Sequence, residues 1–169
     1  LRPGARAIFA GLALLVSNFA AASPRVLLLN SYHPGYEWSD DEMRGVRDAL
    51  LAARPGVEID TEFLDHRRHP DKKYEESFSA FLNRKYAASR PDLVITTDDA
   101  ATEFFLARGA SIAPGAPLVF CGVNYPNDYS RAVQLARQRG LPVTGVLETV
   151  GLVDTARLAL RRKEDLHCG

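Results

Sequence analysis

Asn30-Ser31-Tyr32-His33-Pro34-Gly35-Tyr36-Glu37-Trp38 crowds hydrogen-bonding groups and three aromatic rings into one short stretch. Aromatic faces with a few polar groups are what a small-molecule cleft uses to stack and orient a ligand. Ser31, Tyr32 and His33 directly follow an apolar run and are candidate ligand residues. Trp38 has two readings: a ring in the same site, or a staple packed against the helix that begins after it. A second polar stretch, Thr96-Thr97-Asp98-Asp99, follows another apolar run. One of its two acids is expected to cap a helix, and the other to serve as a ligand donor or cation partner. Asn124, after a third apolar run, is the last ligand candidate; its alternative role is to close a turn. Tyr125 beside it is left open between the two, and Glu148 and Thr149 are candidates to line a hinge. The ligand-facing set is therefore Ser31, Tyr32, His33, Trp38, Asp98, Asp99 and Asn124.

Most catalytic chemistries lack their residues. No G-x-G-x-x-G follows a strand, and neither G-x-x-x-x-G-K-[ST] nor G-x-S-x-G occurs, so dinucleotide, P-loop and nucleophile-elbow sites are excluded. The four histidines never pair at i, i+4 on a helix. His66 and His69 lie in a charged loop that reads as a solvated turn rather than a metal site. Asp98-Asp99 after a strand resembles a phosphoacceptor position, but that chemistry needs acidic metal ligands after the first strand, where Asn30, Ser31 and Tyr32 stand. No catalytic residue, metal or cofactor is expected.

Positioning these residues falls to an alternation of strands and helices. Val26-Leu27-Leu28-Leu29 is a continuous apolar run, the form of a strand buried on both faces. Ser39 and Glu42 have capping-box spacing for a helix over residues 40–54, with Met43, Val46, Leu50 and Ala53 on one face. Residues 57–63 alternate as a half-buried strand near an edge, followed by a charged loop at 64–69. A second helix carries Tyr74, Phe78, Phe81, Leu82 and Tyr86 on one stripe and ends before Pro91. Further strands are expected at 93–95, 118–121 and 143–147, and helices at 100–108 (with Gly109 as its stop), at 129–139 and from 152. The predicted fold is α/β: an open parallel sheet of flavodoxin-like order with helices on both faces. Its ligands would bind beyond the carboxyl ends of the strands.

The chain has 169 residues, 46% of them hydrophobic and 25% charged, with a formal net charge of zero. That balance fits a globular protein and gives no electrostatic footprint for nucleic acid. Cys121 and Cys168 match no zinc or redox spacing, and Cys121 reads as a small core residue. Residues 1–22 have the form of a secretory signal: Arg2 and Arg6, a short apolar stretch, then Ala20-Ala21-Ala22. Their alternative is an uncleaved signal anchor. The expected location is periplasmic or extracytoplasmic, with membrane anchoring of the full-length protein as the alternative.

The N-S-Y-H-x-G-Y-x-W stretch resembles the periplasmic sensor domains related to ABC-transporter substrate-binding proteins, found at the front of bacterial histidine kinases and diguanylate cyclases. V-I-T-T-D-D-A-A, P-L-V-F-C-G-V-N-Y and V-T-G-V-L-E-T-V-G-L-V-D-T-A-R-L-A-L are similar to that family's later landmarks. The resemblance covers residues 25 to about 162. It implies a type I periplasmic-binding-protein fold, in which two α/β lobes close on a small molecule without turnover. Residues 23–150 would form the amino-terminal lobe, and residues 151–169 a helix leading towards a second lobe. The implied partners are the ligand and a downstream membrane signalling module. One rival is a soluble substrate-binding component working with an ABC permease. A remote one is an exported flavodoxin-like hydrolase using Asp98 and Asp99.

Overall fold

The computed structural model describes residues 23–124, 130, 133–134, 136–138 and 140–148. The signal expected at 1–22, Tyr125, Thr149 and the helix expected from 152 lie outside the described residues. The element order is β1 (Arg25–Asn30), α1 (Glu37–Ala53), β2 (Glu58–Phe63), α2 (Lys72–Lys85), β3 (Leu93–Thr97), α3 (Asp98–Ile112), β4 (Leu118–Val123) and β5 (Val143–Leu147). Described residues between β4 and β5, from Ser130 to Gln138, are helical, in agreement with the sequence.

β1 is central because its residues can be buried on both sides. Leu27, Leu28 and Leu29 have no exposed surface. Side chains alternate across a strand, and here they divide between two cores. Val26 and Leu28 pack with Met43 and Ile95, joined by Val46 and Leu50 of α1. Leu27 and Leu29 pack on the other face with Leu82, Tyr86, Val94, Phe104, Phe105 and Ile112 from α2, β3 and α3. Each fully buried leucine contributes about 1.5–3 kcal/mol, which outweighs the weak intrinsic preferences of the segments.

The five strands are all parallel, in the order β2-β1-β3-β4-β5. This is the open flavodoxin-like sheet expected, with helices on both faces. From β1 the chain crosses to β2 on one side and then returns to β3 on the other. The carboxyl ends of β1 and β3 therefore flank a topological switch point, where open α/β sheets hold their ligands.

Three local expectations are corrected. α1 begins at Glu37 with Tyr36 at the N-cap and no side-chain cap, so Ser39 lies within the helix, fully buried, instead of capping it. Gly109 does not stop α3, which continues to Ile112. A Cβ on Gly109 would lie 2.6 Å from the Phe105 ring, so this glycine lets a large core ring lie against the helix. The 64–69 loop is charged as read, yet Leu64 at its start is fully buried in the α2–α3 core. Edge strand β2 behaves as expected, except that its buried side chain is Glu62, bonded by Tyr86 Oη at 2.8 Å and paired with Lys85.

Candidate functional site

Asn30 and Ser31 build the frame. The Asn30 amide donates to Ser39 Oγ at 2.7 Å, and Asn30 Oδ1 accepts the Tyr32 backbone N–H at 2.7 Å. One buried side chain thus fixes both the start of the loop and the first turn of α1. Ser31 does the same for α3. Its hydroxyl donates to Thr97 O at 2.6 Å and accepts from Ala101 N at 2.8 Å. Those two backbone groups are four residues apart, the spacing of a first helical hydrogen bond. The Ser31 hydroxyl is inserted between them. With that hydroxyl engaged on both sides and 1% exposed, Ser31 shapes the site from beneath.

The inserted hydroxyl accompanies an unusual helix start. The N-cap is Thr97, which makes no side-chain capping bond, so neither acid is the cap the sequence led us to expect. Asp98 takes a left-handed φ of 65°, a conformation Asp tolerates better than most residues. Thr102 Oγ1 donates to Asp98 O at 2.7 Å and lies 2.8 Å from Thr96 Oγ1, which braces the turn from within. Asp99 points elsewhere: its carboxylate accepts from Asn124 N at 3.1 Å and from Asn124 Nδ2 at 3.4 Å. The ends of β3 and β4 are joined through this pair.

β4 reaches the site through a bulge. Pairing steps from Phe120↔Gly145 to Val123↔Leu147, so β4 carries one residue more than β5 across that interval. The extra length falls at Cys121-Gly122, and Gly122 has a φ of 70°. Bulges re-aim side chains beside functional sites. Here the bare face of Gly122 receives two carboxyl groups. A Cβ at that position would lie 3.1 Å from Glu42 Oε1 and 3.2 Å from Asp98 Oδ1. The Cys121 thiol donates to Thr96 O at 3.7 Å and lies close enough to Glu42 to act on its carboxyl. Cys121 is half-buried and belongs to this cluster, a correction to its reading as a core residue.

The electrostatics follow from this crowding. Burial, followed by repulsion from Glu42, Asp99 and Glu148, pushes the Asp98 carboxyl up to about 7. Burial also raises Glu42, with Glu148 adding to the shift and the neighbouring Cys121 thiol opposing it. Asp98 Oδ2 and Glu42 Oε2 are enclosed and have no hydrogen-bond partner. Burial also raises the Cys121 thiol, which makes it a poor nucleophile.

Above the acids stand the rings. Tyr32, Tyr36 and Trp38 form a mutual cluster with centroid separations of 5.1, 5.4 and 5.6 Å. Trp38 is 46% exposed, with its ring edge-on to both tyrosines. It lies inside the first turn of α1 rather than before the helix, so it is not the staple expected from sequence. Its ring packs on the tyrosines while facing solvent. Tyr32 is half-buried, and burial followed by the charge of Asp98 raises its hydroxyl. His33 faces the Tyr36 ring at 6.2 Å while its Nδ1 contacts Pro34 O at 2.8 Å. Arg67, from the loop after β2, donates to Tyr36 Oη at 2.6 Å.

The structure thus gathers the seven candidates at one sheet edge, in two tiers. Tyr32, His33 and Trp38 form the aromatic tier, and Asp98, Asp99 and Asn124 the polar tier, with Ser31 beneath. Glu42 was missed. Its spacing of three from Ser39 was read as a capping box, whereas the same spacing places both on the helix face turned to the sheet. Arg67 and the β4 bulge were also missed, because nothing local in the sequence announces a contact across elements. Among the described residues no group of three or more His, Cys, Asp or Glu could hold a metal ion. No described helix is long and apolar enough to cross a membrane. Comparison of the chain with protein-family profiles, with curated proteins and with solved structures finds no match.

Proposed function

We propose that this chain is the amino-terminal lobe of an extracytoplasmic small-molecule-binding domain of the type I periplasmic-binding-protein kind, whose ligand-driven closure feeds a membrane signalling module. The observation that carries this reading is the convergence at the β1/β3 switch point. An aromatic tier from the β1–α1 loop and the first turn of α1 meets a polar tier from α3 and the end of β4 at the edge where such sheets hold ligands. Among the described residues no nucleophile–base pair accompanies them, and burial holds the Cys121 thiol protonated, which supports binding over turnover. The N-S pair supports it too: Asn30 and Ser31 hold Tyr32 and Asp98 in place and leave the rings and carboxylates for a ligand. On this reading the residues described form one wall of a cleft, and the second lobe supplies the other.

The test has two parts. The coding DNA beyond the Gly169 codon is expected to encode a second α/β lobe, then an apolar span and a kinase or cyclase module. A second lobe followed by a stop would instead favour the soluble importer component. In the complete domain, a metabolite panel is expected to yield a compound that raises the melting temperature. The double variant Tyr32→Ala, Asp98→Ala should lose that response and keep the fold. Unchanged ligand stabilisation in the double variant would remove this edge as the site.

A further inference from the structure

We propose that the ligand of this edge carries a protonated nitrogen, an organic ammonium or amidinium, which docks among Glu42, Asp98 and Asp99. The inference rests on the cleft reading above and adds the charge class of the ligand.

Carboxylates gather here from separate elements: Glu42 from α1, Asp98 and Asp99 from α3, and Glu148 after β5. The charged groups that act on Asp98 are Glu42, Asp99 and Glu148, all acids. Arg67 acts on Tyr32 and is engaged by the Tyr36 hydroxyl. The whole chain is formally neutral, so this concentration of one sign is a local feature of the ligand edge. The second, independent observation is an orphaned atom. Asp98 is only 3% exposed, yet its Oδ2 has no hydrogen-bond partner, and neither has the enclosed Glu42 Oε2. A buried carboxylate oxygen without a partner is costly unless a proton or a cation satisfies it.

A cation with N–H donors meets both needs at once. It supplies the countercharge, and it forms directional charge-assisted bonds to more than one carboxylate. A neutral donor would satisfy the oxygens but leave the repulsion among the acids. The aromatic tier suits the rest of such a molecule, because ring faces attract cations and stack on flat groups. Tyr32, which feels the charge of Asp98, is the ring nearest in electrostatic terms. Both orphaned oxygens are closed to solvent, so docking requires a local displacement that opens them. Without ligand, a proton on the Asp98–Glu42 pair takes the cation's place, in keeping with an Asp98 carboxyl at about 7. Binding then releases that proton and strengthens as pH rises. The other titratable groups facing the pair are Asp99, Cys121, Glu148 and Tyr32.

A charge series on one scaffold tests this in the full-length protein: benzylamine, benzyl alcohol and benzoate, measured by calorimetry and thermal shift. Benzylamine is expected to bind about tenfold more tightly than benzyl alcohol at pH 8, the gain of a charged over a neutral hydrogen-bonding pair. That ratio should shrink at pH 5.5, and Asp98→Asn and Glu42→Gln should each bring it close to one. Equal or tighter binding of benzyl alcohol or benzoate overturns the inference, as does a ratio that survives both substitutions. If none of the three binds while a neutral or anionic metabolite stabilises the protein through Tyr32, the cation inference falls and the cleft reading stands. If no compound of any charge does so, both fall.

Discussion

Glu42 and Asp98, 56 positions apart in the chain, direct one carboxyl oxygen each at the bare α-carbon of Gly122. Burial raises both carboxyls, with Glu148 adding to the shift at Glu42 and with Glu42, Asp99 and Glu148 pushing Asp98 to about 7. The folded protein therefore holds protons that the unfolded chain has already released. For such groups stability is greatest at acidic pH and falls as pH rises from about 4, the unfolded value, through the folded value near 7. Urea melts between pH 5 and 8 are expected to show a loss on the order of a few kcal/mol, levelling above the folded value. Asp98→Asn should flatten this slope and stabilise the protein at pH 8, since Asn tolerates the left-handed backbone and carries no charge. A wild-type slope that is flat or rises with pH would refute the pairing.

Gly122 is predicted to resist substitution for two separate reasons. Its φ of 70° disfavours any Cβ, at a cost of about 1–2 kcal/mol. The added methyl would also press on Glu42 Oε1 and Asp98 Oδ1. Gly122→Ala is expected to lose about 1–3 kcal/mol in denaturant melts. In the Asp98→Asn background the backbone cost should remain, so a Gly122→Ala penalty that vanished there would show that conformation is not the cause.

Ser31→Ala removes a hydroxyl that bonds both Thr97 O and Ala101 N. Their direct helical bond would have to close, which moves Asp98. The expected cost is about 1–3 kcal/mol, with slower hydrogen exchange at Ala101 if the direct bond forms and faster exchange if it does not. An unchanged melt together with unchanged exchange at Ala101 would mean that the hydroxyl is not inserted there.

Tyr86→Phe tests a region remote from the ligand edge in function. Its hydroxyl is a buried donor to Glu62 at 2.8 Å, and Glu62 keeps Lys85 when it is lost. The expected cost is about 1–2 kcal/mol, with the pH slope between 5 and 8 unaltered. A changed slope would mean that the pH dependence does not arise at the ligand edge alone.

Gly109→Ala sets two effects against each other. Helix propensity favours alanine by about 1 kcal/mol, but the new methyl would meet the buried Phe105 ring at 2.6 Å. Overpacking costs of about 1–3 kcal/mol are expected to win, giving a lower melting temperature. A higher one would mean that the ring moves aside freely.

Much of this protein was legible from sequence alone. The apolar run of β1, the alternation of β2 and the stripe of α2 are properties of neighbouring residues. They determine the element order, and with the short connections they imply an open parallel sheet with its candidate residues at one edge. What only tertiary structure decided lies between elements. Ser39 and Glu42 have the spacing of a cap, but the buried Asn30 amide bonds Ser39 Oγ and draws both residues towards the sheet. Cys121 has the composition of a core residue, but a bulge one residue long turns it to the carboxyls. Asp98 and Asp99 are adjacent and alike in type, yet a left-handed backbone turns one carboxyl towards Gly122 and leaves the other for Asn124. The physical reason is common to all three. A hydrogen bond or a repulsion between groups distant in the chain exists only after the sheet has brought them together, and at that range it outweighs the local preferences a sequence displays.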